Sequence, residues 1–261
     1  MREGVRSALV VVCVLVLVSA GSATTYGLFS DSEQASGTIQ AADKFNGNSD
    51  SGSSSGTAYN DADGDGERDM NEQTYSQSDL VGFDNPSANL VIPESVGPVE
   101  KTDNGNIQMT AQSITSEVKI RTKNGGITLT ADGGNIDLAG PVVAETGSID
   151  INAQSGDVNL EGATIDSKNR YIDVTAGGHL NMDRATIDTN AQITLRSGSD
   201  IRLENAEISS KNGEASATLG SAGDTLYVNG ATIGDKDDTL RYSPADATVD
   251  GTPNSGTTQP N

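Results

Sequence analysis

Through the second half of the chain, isoleucine, leucine and valine return in three short bursts about every 22 residues. The unit reads most clearly over Ser148–Asn169, and it recurs over Arg170–Ala191 and Gln192–Gly213. Gly126–Gly147 fits the same frame upstream, and Glu214–Asp238 fits it downstream with three extra residues. The middle burst keeps register as Ile136/Leu138, Val158/Leu160, Leu180/Met182, Ile201/Leu203 and Leu226/Val228. The third burst follows as Val143, Ile165, Ile187, Ile208 and Ile233.

Within a burst, apolar and polar residues alternate, as in Ile149-Asp-Ile151 and Val158-Asn-Leu160. That alternation predicts a strand with one face inward. Gly, Asn, Asp and Ser fill the gaps and tolerate the backbone angles of tight turns. Equivalent positions repeat instead of mirroring, so each strand pairs in parallel with its own copy one unit later. The fold expected is all-β: a three-sided parallel β-helix of about six or seven coils, a rod about 30 Å long. It is expected over residues 89–243, with Leu90 and Ile92 opening the first turn. Asn106–Gly126 carries a shorter version of the unit.

The N-terminal part has a different character. Two arginines in Met1–Arg6 precede the apolar run Ser7–Val18, and small residues follow at Ser19–Ala23. This is the layout of an export signal. The uncharged stretch from Ser7 to Ser30 is also long enough to span a bilayer, so residues 1–28 are a cleaved signal or a retained anchor. Either predicts an exported protein at the outer cell surface, in contact with membrane or envelope through its N-terminus and anchored, if the segment is kept, by residues 7–28. Tyr26–Asp31 and Ser36–Ala41 resemble the signal junction of camelysin/TasA-type secreted proteins. Residues 29–88 are expected to be a flexible acidic linker, and residues 244–261, rich in Thr, Gly and Pro, a disordered tail.

Charge adds a habitat. Against 16 basic residues stand 37 acidic ones, for a formal net charge of −21 and a pI near 4.1. The acids include outward strand positions such as Asp150, Asp157, Asp173 and Asp200. Such a surface repels itself in dilute buffer and stays hydrated in strong salt, which points to a halophilic archaeon, with an ordinary acidic secreted protein as the alternative. It excludes nucleic acid as a partner, because nothing would neutralise phosphates.

One stretch carries metal chemistry. Asp61, Asp63, Asp65, Asp69 and Glu72 fall at positions 1, 3, 5, 9 and 12 of a calcium loop, Glu67 offers its carbonyl at 7, and Gly66 makes the turn at 6. Arg68 stands where a paired EF-hand has an apolar residue, so the loop resembles the stand-alone loops of thrombospondin type 3 and dockerin-like repeats. The expectation is Ca2+ in a structural role, with an acidic turn in an acidic protein as the alternative, and no nucleotide.

Catalysis finds no foothold. The turns are short, there is no tryptophan, and His179 is the sole histidine, placed at a turn. Asp235, Asp237 and Asp238 read as a solvated acidic turn. With no amphipathic helix before Leu90 or after Leu240, the end coils look uncapped. A short β-helix between disordered ends resembles the bactofilin-like polymer-forming proteins, including the archaeal halofilins. That resemblance implies a non-enzymatic scaffold that stacks end to end with copies of itself and supports cell shape. Leu90 and Ile92 at one end, and Leu226, Val228 and Ile233 at the other, are then the assembly residues. Gly134–Leu138 is equally similar to filamentous-haemagglutinin-type repeats, which implies instead a monomeric adhesin or stalk binding through a lateral face.

Overall fold

The computed structural model describes residues 56–261. The segment expected to be a signal or anchor, and the linker up to residue 55, lie outside the described residues. From residue 82 onward the chain winds as a three-sided parallel β-solenoid of about 8 turns with the expected period.

Strands are numbered along the chain. On the first side, β7 (Ile127–Ala131), β10 (Ile149–Ala153), β13 (Ile172–Ala176), β16 (Ile193–Ser197), β19 (Ala215–Thr218), β22 (Thr239–Ser243) and β24 (Thr257–Pro260) stack in parallel. The second side stacks β8 (Ile136–Leu138), β11 (Val158–Asn159), β14 (Leu180–Asn181), β17 (Ile201–Arg202), β20 (Thr225–Tyr227) and β23 (Thr248–Asp250). The third stacks β4 (Val99–Asn104), β6 (Ile120–Asn124), β9 (Val142–Ala144), β12 (Thr164–Ser167), β15 (Thr186–Thr189), β18 (Glu207–Ser210) and β21 (Thr232–Asp235). In the first two coils, the long strands β3 (Gly82–Ile92) and β5 (Ile107–Ser116) bend round the corner and serve the first and second sides together. Their register shifts between Asn85 and Asn89, where Pro86 sits.

Strict register places like residues above like. Ile127, Ile149, Ile172 and Ile193 form one buried column, and Leu129, Ile151, Val174 and Leu195 another. No coil could bury these edges alone, so the stack is the unit that folds. On the third side the aligned partner of Ile165 is Val142, and Val143 points outward. The expected register there was off by one: two adjacent valines give no alternation to choose between them, and pairing to the next coil decides.

The limits of the solenoid are also wider than the sequence suggests. Residues 244–261 contain β23 and β24, paired to Thr225–Tyr227 and to β22, so this segment is another coil and not a disordered tail. Its composition hid it: the backbone ladder supplies the hydrogen bonds, and Val249 and Thr258 take the inward columns from Leu226 and Leu240. Residues 56–88, expected to be linker, are ordered too.

A column of inward hydroxyls closes the corner between the third and first sides. Thr122, Ser167, Thr189 and Ser210 are aligned and buried, and each donates to a backbone carbonyl of the corner: Gly105 for Thr122, Gly147 or Arg170 for Ser167, Arg170 for Thr189, Ala191 for Ser210. Asp235 takes the same place in the next coil and accepts from the N–H groups of Asp237, Thr239 and Ala215. It is a buried, satisfied fold residue, where the sequence suggested a solvated turn.

Candidate metal loop at the N-terminal end of the solenoid

Two short strands, β1 (Ala58–Asn60) and β2 (Thr74–Tyr75), form a hairpin ahead of the first coil. β1 lies antiparallel on β3, with Tyr59 opposite Val91 and Asn60 opposite Leu90. Among the described residues, the pairings of β1 are the only antiparallel ones. Laid antiparallel on the second-side part of the first rung, β1 occupies the edge at Leu90 and Val91 and cannot continue the parallel stack there. The core below is closed by Leu80, fully buried in the 3-10 turn Asp79–Val81, and by Tyr75 against Phe83, edge to face with centroids 4.8 Å apart. The hydroxyl and N–H of Ser76 bond Asp79 and hold its carboxyl below the usual range.

The Asp-rich loop is the connection of this hairpin, closed at its base by Asn60 N–H to the Gln73 carbonyl at 2.9 Å. Asn89 fastens it to the solenoid: its N–H reaches Asn60 Oδ1 at 2.8 Å, its Nδ2 reaches the Asp61 carbonyl at 3.0 Å, and its own carbonyl accepts from Asp61 N–H at 2.9 Å. Asp61 is nearly buried, and its two oxygens accept from Gly64 N–H at 2.8 Å and Gly66 N–H at 3.0 Å. Both glycines take φ of +79°, which a side chain would strain. Tyr59 donates its hydroxyl to the Gly66 carbonyl at 2.7 Å.

Carboxylate oxygens of Asp61, Asp63 and Asp65 lie within 4.8 Å of one another. The carboxylate of Glu72 folds back across the loop, accepting from Ala62 N–H at 2.9 Å and Asp69 N–H at 3.0 Å. Glu67 and Asp69 are exposed and stand outside the trio. Arg68 reaches Thr57 Oγ1 at 3.0 Å, which accounts for a polar residue at that position: strands and not helices flank the loop, and there is no helix core for it to enter. The crowding leaves an electrostatic mark. The backbone N–H of Asp65 is the largest single influence on the Asp63 carboxyl and holds it down, but desolvation with Asp65, Asp69 and Asp61 outweighs it, and the net direction is up. Burial first, then Asp61, Glu72, Asp65 and Glu117, push the Tyr59 hydroxyl up. A hard dication fits this all-oxygen donor set, since it would relieve the repulsion.

The five residues expected at an assembly surface are elsewhere. Leu90, Ile92, Leu226, Val228 and Ile233 are all inside the core. The hairpin covers the first two, and the coil of β23 and β24 lies beyond the other three. His179 stays exposed at its turn with Nδ1 3.7 Å from Asp200 Oδ2. Sequence reasoning missed the capping role of Tyr75, Leu80 and Phe83; the only signal was three large apolar residues close together in a polar stretch. Among the described residues, no helix is long and apolar enough to cross a membrane. No family model, no curated protein and no solved structure matches this chain.

Proposed function

We propose that the chain is a non-enzymatic structural rod of the cell exterior whose sides, and not its ends, make the working contacts. The observation that carries this is the β1–β2 hairpin lying antiparallel on the second-side part of the first coil, because it occupies the strand edge at Leu90 and Val91 that a head-to-tail neighbour would use there. The likeness to bactofilin-like proteins is one of architecture, and their end-to-end mode is the rival. The hairpin and the buried positions of Leu226 and Val228 weigh against it.

Exterior placement rests on the apolar run Ser7–Val18, and a saline habitat on the net charge of −21. In this reading the Asp61–Glu72 loop holds one Ca2+ that stiffens the hairpin, a structural use with no sensing or catalysis attached. Small-angle scattering of the purified chain in molar salt tests the proposal. Particles of about eight strand spacings, roughly 38 Å, whose length does not grow with concentration, are expected. Rods that lengthen in whole multiples at constant thickness would overturn it in favour of the end-to-end polymer.

A further inference from the structure

The corner between the third and first sides changes length along the rod. Four residues lead from Ser167 to Ile172 (Lys168, Asn169, Arg170 and Tyr171), only three from Thr189 to Ile193 one coil later, and four again from Ser210 to Ala215. Thr189 donates its hydroxyl to the Arg170 carbonyl and Ser210 donates to that of Ala191, so Arg170 and Ala191 are equivalent and Asn169 has no counterpart above it. A longer corner under a shorter one accounts for Tyr171, which at 49% exposure is the only exposed aromatic among the described residues. The corner that carries it is fastened. The Arg170 carbonyl also accepts from the Ser167 hydroxyl at 2.8 Å, and the Tyr171 carbonyl accepts from Ile149 N–H at 3.1 Å.

Cations gather on the same corner. Lys123 follows Thr122, and Lys211 follows Ser210, as Lys168 follows Ser167, so the three lysines stand in one row, two coils apart. Lys123, Lys168 and Arg170 are exposed and make no ion pair among the described residues, whereas Arg121, Arg184, Arg196 and Arg202 are each bound to a carboxylate. Of the acids close by, Glu145 holds Arg121, Asp188 stands 4.0 Å from Lys211, Asp166 lies on the flat of the third side, and Glu214 lies two coils above Tyr171. In a chain of net charge −21, free cations beside a bare aromatic ring are an exception that packing does not explain.

We propose that this corner binds an acidic polysaccharide in which a uronate alternates with a neutral sugar, laid along the rod over Tyr171. A tyrosine ring offers an apolar face and a polar tip, which suits the C–H face of a sugar. Arg170 presents a planar fork to a carboxylate and Lys168 a point charge, while the exposed amides of Asn169 and Gln192 can serve the sugar hydroxyls. Spacing selects the polymer. Two coil pitches are about 10 Å, close to the length of a disaccharide, so the carboxylates of an alternating chain recur in step with Lys123, Lys168 and Lys211. The phosphates of nucleic acid, at about one charge per 1.7 Å, are far denser and would crowd the acids of the corner. In molar salt the screening length falls to about 3 Å, so contacts at the corner outweigh the net charge of the chain.

This inference rests on the reading of the chain as an exterior rod that works through its sides. Interferometry of the purified chain over immobilised hyaluronan, in the lowest salt that keeps it folded by circular dichroism, should show saturable binding, with none over neutral dextran. Tyr171→Ala and the double variant Lys168→Gln, Arg170→Gln should each weaken binding about tenfold or more. Tyr171→Phe, which keeps the ring, and Arg241→Gln, a cation away from the corner, should leave it unchanged. A parent chain that binds no hyaluronan would overturn the proposal, and so would binding that Tyr171→Ala does not weaken. Single-stranded DNA held as tightly as hyaluronan would also overturn it, since charge alone would then account for the site. Scattering keeps the two readings apart: rods that lengthen in whole multiples sink the side-contact reading, and rods of constant length that bind no hyaluronan sink the glycan site alone.

Discussion

The N-terminal cap and the regular stack are built on opposite principles. In the stack, residues 106–243, each side chain is supported by its own equivalent one coil above and below. In the cap, residues 56–92, every contact is particular: Leu80 plugs the core, Asn89 fastens the hairpin, and Asp61 holds two glycine N–H groups. Repetition gives strength along the axis but leaves an edge at each end. Closing the edge takes a strand in the wrong direction and a few large side chains that occur once. Stability in the stack is therefore collective, and stability in the cap is local.

That contrast can be broken hardest at Val228. Placing aspartate there buries an unpaired carboxylate between β20 and the last described coil, and Val228→Asp should abolish cooperative folding, a loss of about 4 kcal/mol or more. Circular dichroism melts read the outcome. A fully folded variant would mean the C-terminal coil opens easily and the collective picture is wrong.

Leu80→Ala should cost about 2–4 kcal/mol, but in the cap alone. Hydrogen exchange should then lose protection at Tyr59, Asn60 and Asp61 while Ile149 to Val174 stay protected. Equal loss in both regions would show that cap and stack unfold as one. Calcium sharpens the same contrast more gently. Adding Ca2+ should slow exchange at Gly64 and Gly66, and a chelator should reverse it without touching the stack; binding at ten times Kd contributes about 1.4 kcal/mol. No change at the loop would remove the metal from the account.

The smallest effect is electrostatic and belongs to the stack. Burial, then the neighbouring Asp188, push the Asp166 carboxyl up, with Glu145 adding and Lys168 and Lys211 opposing. Its folded pKa lies above its unfolded one, so the folded state binds the proton more tightly. Stability from this group is greatest below the ordinary carboxylate value and falls as pH rises through the raised value. Asp166→Asn should raise Tm slightly at pH 7 and leave it unchanged near about pH 3, where both forms are neutral. A lower Tm at pH 7 would mean the charge on Asp166 is favourable, through Lys168 or Lys211. Asp79 and Glu145 work the other way: hydrogen bonds from Ser76 and from Arg121 hold their carboxyls down, and what they contribute is lost as pH falls through those lowered values.

The sequence by itself determined the stack. A period of about 22 residues, with alternation inside each burst, leaves parallel self-pairing as the way to bury Ile149, Ile172 and Ile193 together, because every coil repeats the same solution. The gathering of Asp61, Asp63 and Asp65 was also legible, since the order of carboxylates along a short loop is a local property. Where the period weakens, local signals fail. Val142 and Val143 offered two registers, and only pairing with Ile165 chose between them. The turn position of Gly162, which needs positive φ, is held by Arg184 and Asn205 in the next two coils, so composition there no longer marks the turn. Tertiary structure alone decided that residues 56–88 fold back as a cap, that residues 244–261 add a coil, and that Leu90 and Val228 are core. Each depends on a backbone edge being free to accept a strand, and an edge exists only once the stack has formed.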